Sequence, residues 1–200
     1  MDEKRKEYKF KVTSLELSKF MERFSSRLNK LHPDRQIMSL YMDTHDFYIY
    51  NSSHTYDSEK FKLRFRQYSN NETIYKEIKY NTKDGRSKKV KETEFKSFDD
   101  IKYTNFESLK LVPAAFVNYS RSYFQFYESR ITVDQGIVFR PTAQRTKIRS
   151  VIKYPFKIIE YKILEKVNKD IEKNLFKNPE SFSKYSSAIE NLYNLSNSEK

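Results

Sequence analysis

The chain has 200 residues, with 39 lysines and arginines against 27 aspartates and glutamates, a formal net charge of +12. It has no cysteine, 3 histidines and 2 glycines, which excludes disulfides, cysteine metal sites and glycine-rich phosphate loops. No apolar stretch has the length of a membrane span, and the charged start does not resemble a signal peptide. We therefore expect a soluble, intracellular protein with an anionic partner.

Six segments alternate apolar and polar residues with a period of two, which predicts β-strands. They are residues 5–12, 60–68, 73–80, 88–95, 116–134 (two strands) and 156–163. Asp84-Gly85 predicts a hairpin between the third and fourth segments, and Gln135-Gly136 predicts a second turn.

Helices are predicted between and after these strands. Thr13-Ser14-Leu15-Glu16 has the pattern of a capping box, and apolar residues follow at helical spacing as far as Leu31, with Pro33 beyond the predicted end. Three further helices are predicted at residues 97–109, 164–175 and 181–195. The expected fold is α+β, in a single domain over residues 1–195 with a disordered tail at 196–200.

One face of each predicted strand is charged. Arginines lie in mid-strand at Arg64, Arg66, Arg121 and Arg130, and acids at Glu7, Glu77, Asp134 and Glu160. For any single strand, a solvent-facing side of an antiparallel sheet explains this pattern. If the sheet closes into a barrel, however, these charges line its interior, where unpaired charges cost several kcal/mol each. Such an interior would have to hold water, metal and an anion.

Nine short motifs, in order over roughly residues 3 to 190, resemble the polyphosphate polymerase domain of the vacuolar transporter chaperone (VTC) family, within the triphosphate tunnel metalloenzymes. They are Arg5-x-Glu7-x-Lys9-Phe10, Leu40-Tyr41-Met42-Asp43-Thr44, Lys62-Leu63-Arg64-Phe65-Arg66-Gln67-Tyr68, Glu77-Ile78-Lys79, Ser87-Lys88-Lys89, Tyr119-Ser120-Arg121, Arg130-Ile131-Thr132-Val133-Asp134, Ile159-Glu160-Tyr161-Lys162 and Phe182-Ser183-Lys184-Tyr185. One departure is Ser181, where some members carry a second lysine. It leaves the closing helix with fewer phosphate contacts.

The resemblance implies a closed antiparallel β-barrel with packed helices and a C-terminal closing helix, which binds a linear triphosphate. It implies transfer of the terminal phosphate of ATP to a growing inorganic polyphosphate chain, with Mn²⁺ or Mg²⁺ as cofactor. The implied catalytic residues are Lys9, Arg64, Arg66, Lys79, Arg121, Arg130 and Glu160, and the implied phosphate-binding residues are Arg5, Lys88, Lys162 and Lys184.

Glu160 is the best metal candidate, because these cations prefer oxygen ligands and need few carboxylates beside phosphate. Glu7 and Asp134 are weaker candidates, since ion pairing with neighbouring cations explains them equally well. Lys88 and Lys89 are not separable by spacing, although the motif favours Lys88. Tyr41, Asp43, Tyr68 and Tyr119 are interpreted as structural, and the three histidines as surface residues.

Other functions remain open. A tunnel-type tripolyphosphatase or nucleoside triphosphatase would use the same ligands, but such members usually open with E-x-E-x-K, and this chain has Arg5 at the first acid. A non-catalytic polyphosphate-binding module is disfavoured by Glu160 and the arginines. Sequence-specific nucleic-acid binding is not expected, because the arginines lie in mid-strand without a recognition motif. We expect a cytoplasmic location, with the option of docking on a separate membrane partner.

Overall fold

The computed structural model describes residues 7–53, 60–82, 85–145, 150–163 and 179–195. The strands are β1 (Glu7–Val12), β2 (Leu28–Asp43), β3 (Lys60–Tyr68), β4 (Asn71–Thr82), β5 (Gly85–Glu92), β6 (Thr104–Phe106), β7 (Leu109–Phe126), β8 (Ser129–Pro141), β9 (Ile152–Lys153) and β10 (Lys157–Lys162). The helices are α1 (Ser14–Arg23), α2 (Tyr48–Ser52) and α3 (Lys184–Tyr193). Two 3₁₀ turns cover Ser25–Arg27 and Phe98–Asp100.

The strands form a mostly antiparallel sheet with the order β1-β10-β8-β7-β2-β3-β4-β5, in which β6 pairs with β7 and β9 with β8. Among the described residues, no pairing joins β1 to β5, the two ends of this order. The antiparallel sheet and the few helices confirm the predicted α+β class. Within the same residues, no helix has the length and apolar character needed to cross a bilayer.

The chain divides into two compact units. Unit 1 comprises Met1–Gln36, Tyr119–Ile137 and Tyr154–Phe182, and unit 2 comprises Ile37–Asn118, Val138–Lys153 and Ser183–Lys200. The core of unit 1 contains Phe10, Val12, Phe20, Phe24, Phe124, Phe126, Ile131, Val133, Ile159, Tyr161 and Ile163. In unit 2 the buried apolar side chains include Leu40, Met42, Leu63, Phe65, Ile74, Phe98, Ile101, Leu111 and Ile189.

The first helix begins as predicted and ends earlier. Thr13 accepts a hydrogen bond from the Glu16 backbone and the Glu16 side chain caps the Thr13 N–H, which confirms the capping box. The helix stops at Arg23, and Leu28 already belongs to β2. The prediction of a helix continuing to Leu31 is therefore wrong. Leu31, which the helical pattern placed in the core, is 39% exposed, because strand pairing of β2 overrides the local periodicity.

The helix predicted at residues 97–109 is also wrong. Only the 3₁₀ turn Phe98–Asp100 is helical there, and the aromatic and β-branched residues that follow form β6. Glu107 takes a left-handed conformation with φ of 54°, which lets β6 turn back and pair with β7.

The turn predicted at Gln135-Gly136 is wrong as well, because both residues lie inside β8. Gly136 has φ of 60°, which makes it a local irregularity of a continuing strand. The chain reverses earlier, between β7 and β8, where Tyr127 has φ of 52°.

The remaining predicted elements that lie within the described residues are confirmed, most of them with shifted bounds. The predicted strand at 60–68 matches β3, and the closing helix is confirmed as α3 over a shorter range. β4 and β5 pair in antiparallel register with Thr82 opposite Gly85, as a hairpin requires. Asp84 of the predicted turn, the helix predicted at 164–175 and the tail at 196–200 lie outside the described residues.

Candidate anion-binding site

Four neighbouring strands of unit 2 bring polar residues onto one face of the sheet. The antiparallel registers place Arg66 opposite Ser39, Arg64 between Tyr41 and Glu77, and Lys79 between Lys62 and Lys88. Because alternate residues of a strand share a face, these side chains all project from the same side. We call this set the cationic face: Ser39, Tyr41, Lys62, Arg64, Arg66, Glu77, Lys79 and Lys88.

Glu77 is the centre of the cationic face. Arg64 donates to Glu77 Oε2 through Nε at 2.7 Å and Nη2 at 2.5 Å, and Lys88 Nζ donates to Oε1 at 2.7 Å. Arg66 Nη1 lies 3.7 Å from Oε2, and its Nε donates to Ser39 Oγ at 3.0 Å. One carboxylate therefore orients three cationic side chains.

Three charges of this cluster are deeply buried, and Lys88 is exposed. Arg64 is 8% exposed, Arg66 4% and Glu77 1%. Burial alone would raise the pKa of Glu77, but Arg64, Arg66 and Lys88 outweigh it and lower this pKa to about 2. The set defined above holds five lysines and arginines and one carboxylate, Glu77, and the buried Asp43 follows on the same face of β2. Arg64 and Arg66 are buried, Lys62 is half-buried, and Lys79 and Lys88 are exposed. Such an excess of positive charge on one face favours an anionic ligand.

Helix α3 adds Lys184 to this surface. Ser183 caps the helix by accepting from the Ser186 N–H, and its Oγ also accepts from Lys62 Nζ at 2.8 Å. Lys184 is the first helical residue and lies close enough to Tyr41 to affect the ionisation of its phenol. The closing helix is thus fixed to the cationic face at its N-terminal end.

Asp43, at the end of β2, holds α3 in place through Tyr185. This buried carboxylate accepts a hydrogen bond from the Tyr185 hydroxyl and others from the N–H groups of Thr44, Ile49 and Tyr50. Burial raises the pKa of Asp43 despite these hydrogen bonds. The Tyr185 ring in turn stacks on Tyr41, with centroids 5.1 Å apart.

A second charged face lies in unit 1 and mixes both signs. The registers place Glu7 opposite Lys162, Lys9 opposite Glu160, Glu160 opposite Thr132 and Lys162 opposite Arg130. Asp134 has the same strand parity as Thr132 on β8, and Arg121 of β7 donates to the Asp134 carboxylate. We call this set the mixed face: Glu7, Lys9, Arg121, Arg130, Thr132, Asp134, Glu160 and Lys162.

Every acid of the mixed face has a cationic partner. Glu160 pairs with Lys162 at 2.8 Å, and Glu7 lies 3.2 Å from Lys9 and 3.4 Å from Lys162. Arg121 donates to Asp134 through Nε at 2.5 Å and Nη2 at 2.7 Å. Burial opposes ionisation of Glu160, but Arg121, Lys162 and Lys9 hold its pKa well below the usual range.

These carboxylates fit a metal ion only if phosphate oxygens of a bound ligand supply the rest of its coordination shell. Among the described residues, no group of three His, Cys, Asp or Glu side chains is placed to hold a metal ion. Mg²⁺ and Mn²⁺ need only one or two carboxylates when phosphate oxygens complete their shell. Glu160 is ionised and supplies oxygen donors of the right chemistry. The residues present therefore fit a cation that arrives with a phosphate ligand.

The structure places the predicted site residues in two groups. Arg64, Arg66, Lys79, Lys88 and Lys184 are in unit 2, and Lys9, Arg121, Arg130, Glu160 and Lys162 are in unit 1. Arg130 is exposed and lies opposite Lys162. Arg5 lies outside the described residues. His32 and His45 are exposed, as predicted, and His54 is outside the described range.

Register separates the two lysines that the sequence left unresolved. Lys88 lies opposite Lys79 on the cationic face and bonds to Glu77. Lys89 lies opposite Ile78 on the other side of the sheet, with Nζ 5.4 Å from the Tyr80 ring centroid.

Sequence reasoning missed part of the site. The sequence predicts a structural role for Tyr41, and the structure adds that its hydroxyl accepts from Arg64 Nη1 at 2.9 Å. The sequence does not single out Lys62, Ser39, Ser183 or Glu77 as site residues, although Lys62, Glu77 and Ser183 belong to the motifs of the resemblance. Their shared strand parity with Arg64 was the available signal, but only the cross-strand register shows which residues meet.

Comparison with known proteins decides the family. The VTC domain model matches residues 4–193, nearly the whole chain. The chain belongs to the VTC domain family. No curated protein matches it in sequence.

Solved structures give the fold. A candidate adenylate cyclase from Bacillus halodurans is similar at 12% identity and a TM-score of 0.58, covering 95% of this chain and 99% of that one. A candidate adenylyl cyclase from Hippeastrum with a dominant triphosphatase activity is similar at 12% identity and a TM-score of 0.52, covering 92% and 95%. This VTC domain therefore shares the fold of these two proteins.

Proposed function

We propose that this VTC domain is a polyphosphate polymerase, which transfers the γ-phosphate of ATP to the end of an inorganic polyphosphate chain. The observation that carries the proposal is the cationic face, where buried Arg64 and Arg66 share Glu77 with Lys88. Family membership supports the same chemistry.

The chemistry of the reaction fits such a surface. Phosphoryl transfer depends mainly on aligning the attacking and leaving oxygens and on neutralising the charge of the transferred group. Arginine forks suit phosphate because their N–H groups donate in pairs. Glu77 holds Arg64 and Arg66 in fixed orientations before any ligand binds, which reduces the cost of ordering them. The cationic face would therefore bind and align the phosphates.

The mixed face would supply the metal ligands. We assign Glu160 to Mn²⁺ or Mg²⁺, with Glu7 and Asp134 as weaker candidates because each is already ion-paired. When bound, the cation would neutralise phosphate charge. Lys9, Arg121, Arg130 and Lys162 would balance the remaining negative charge on this face, and Arg5 is proposed as a further phosphate ligand.

The family resemblance also supports three proposals about the whole domain and its surroundings. The sheet closes into a β-barrel, the domain works in the cytoplasm, and a separate membrane partner receives the product. A tunnel-type triphosphatase would use the same residues with water as acceptor, and a binding module would use them without turnover.

The test is incubation of the purified protein with ATP and Mn²⁺, followed by a gel stained for polyphosphate and a free-phosphate assay. A ladder of long chains together with ADP would support the polymerase. Release of free phosphate without a ladder would replace it by the triphosphatase. If neither product forms while tripolyphosphate still raises the melting temperature, the domain is a binding module.

A further inference from the structure

Tyr41 is the least expected component of the cationic face. It comes from β2, is 5% exposed, and lies directly opposite Arg64 in the sheet. Its hydroxyl accepts from Arg64 Nη1 at 2.9 Å, and Arg64 Cζ lies 5.7 Å from its ring centroid. The Tyr185 ring stacks on the Tyr41 ring. These contacts hold the phenol in one orientation.

The hydroxyl hydrogen is available to a ligand. A tyrosine O–H both accepts and donates, and here the accepting side is used by Arg64. Within the described residues, the Tyr41 hydroxyl hydrogen has no acceptor. A buried donor without an acceptor is unfavourable, whereas a phosphate oxygen beside Arg64 would satisfy it.

We propose that Tyr41 is a ligand-binding residue, whose hydroxyl donates a hydrogen bond to a phosphate oxygen that Arg64 and Lys184 also contact. This inference rests on the proposed function, since it specifies how that phosphate site recognises its ligand.

The charges around Tyr41 make this hydrogen bond pH-dependent. Arg64 and Arg66 face it from β3, Glu77 from β4 through Arg64, Asp43 lies two residues away on β2, and α3 contributes Lys184 and Tyr185. Burial disfavours the phenolate, but Arg64, Arg66 and Lys184 outweigh burial and lower the pKa of Tyr41 to about 8. The neutral phenol donates a hydrogen bond to phosphate, whereas the phenolate repels it. Phosphate binding thus favours the neutral form.

The first test is calorimetric binding of inorganic tripolyphosphate, without divalent cations, to the wild type, Tyr41→Phe and the control Tyr103→Phe at pH 6.5 and pH 9.5. Tyr103 is 54% exposed in unit 2 and is not part of the cationic face. At the lower pH, Tyr41→Phe should bind roughly tenfold more weakly, the effect of one hydrogen bond to a charged group. At the higher pH this difference should disappear or reverse. Protonation of tripolyphosphate itself affects all three proteins alike and cancels in the ratio.

A second test needs no variant to fold. Phenolate absorbance in the near ultraviolet should show one tyrosine of the wild type ionising near pH 8, and saturating tripolyphosphate should move that ionisation to higher pH. A Tyr41→Phe affinity equal to wild type at pH 6.5, or an ionisation that tripolyphosphate does not move, would overturn the inference.

These outcomes separate the two proposals. If tripolyphosphate binds and Tyr41→Phe weakens it as expected while ATP yields no polyphosphate, the polymerase is wrong and the Tyr41 assignment stands. If polyphosphate forms and Tyr41→Phe binds normally, only the Tyr41 assignment is wrong. If the wild type does not bind tripolyphosphate, both are wrong.

Discussion

At the scale of single residues, Glu77 decides whether the cationic face is stable before a ligand arrives. It is the carboxylate that Arg64, Arg66 and Lys88 share. Removing one member of a buried ion pair leaves uncompensated charge, which is far more costly than losing an exposed pair. Glu77 therefore acts on stability and on ligand orientation together.

We predict that Glu77→Gln lowers the free energy of unfolding by roughly 3 kcal/mol at pH 7. The pKa of Glu77 is about 2 in the folded state, below its ordinary value of 4.5, so its contribution is fully present above pH 4.5 and is lost as the pH falls toward 2. Urea denaturation at pH 7 and pH 2.5 measures both effects. The loss should be large at the higher pH and small at the lower.

The matched control for this experiment is Glu72→Gln, which removes an exposed carboxylate from the same strand. It should change the free energy of unfolding by less than about 0.5 kcal/mol. Equal effects of the two variants at pH 7 would show that Glu77 does not organise the cluster.

Under the proposed function, Glu160 should affect turnover and metal-free binding differently. Because Lys162, Lys9 and Arg121 keep it ionised, we predict that Glu160→Gln reduces Mn²⁺-dependent turnover of ATP roughly a hundredfold or more. Calorimetric binding of tripolyphosphate without metal should weaken little, since the variant removes a negative charge from the face. The exposed Glu128→Gln serves as the control in the same unit. Equal losses of turnover and metal-free binding would contradict a metal role.

At the scale of elements, the sequence predicts strands better than it predicts their ends. β3 was predicted within its observed bounds because Lys62, Arg64 and Arg66 alternate with apolar residues without interruption. The segment after α1 was misassigned because Leu28 and Leu31 fit helical spacing equally well. Only the pairing of β2 with distant strands decides between the two, and a local pattern holds no information about distant partners.

Gly136 shows the same limit within one strand. Glycine next to a polar residue is typical of turns, but here the strand continues past a left-handed residue. A Cβ added at Gly136 would meet nothing within 4 Å, so only backbone strain opposes a side chain there. We predict that Gly136→Ala lowers the free energy of unfolding by about 1–2 kcal/mol.

The comparison variant for that prediction is Gly136→Asn, because asparagine tolerates the left-handed region better than alanine does. Urea denaturation should rank the wild type above Gly136→Asn, and Gly136→Asn above Gly136→Ala. A neutral Gly136→Ala would mean that β8 adjusts its backbone at this point.

At the scale of the whole molecule, the sequence predicts the order of the motifs along the chain but not which of their side chains come into contact. The sequence indicates that Arg64 and Glu160 belong to charged strand faces, because parity is a local property. It does not show that Glu77 joins three cations, or that Tyr41 and Lys184 come together, because those contacts depend on register and on the position of α3. The burial of Arg64 and Arg66 is likewise not predictable from strand parity, because it depends on how the strands and α3 pack together.

The net charge of the chain is +12. The affinity for an anion depends either on this total charge or on the position of particular cations. Lys88 and Lys89 allow this test, because they are adjacent, both exposed, and project from opposite sides of β5. Saturating tripolyphosphate at a hundredfold of its Kd should stabilise the wild type by about 2.7 kcal/mol. Lys89→Ala should keep this stabilisation. Lys88→Ala should lower affinity roughly fivefold to tenfold, since it removes one charge-assisted contact.

The measurement is the melting temperature at increasing tripolyphosphate, with sodium chloride at matched ionic strength as the reference. Screening by sodium chloride acts on all exposed charges and should affect both variants alike, since each removes one positive charge. A specific site responds to tripolyphosphate beyond this screening and distinguishes Lys88 from Lys89. If the two variants respond identically, the anion is attracted by the net charge of the molecule, and the cationic face is not its binding site.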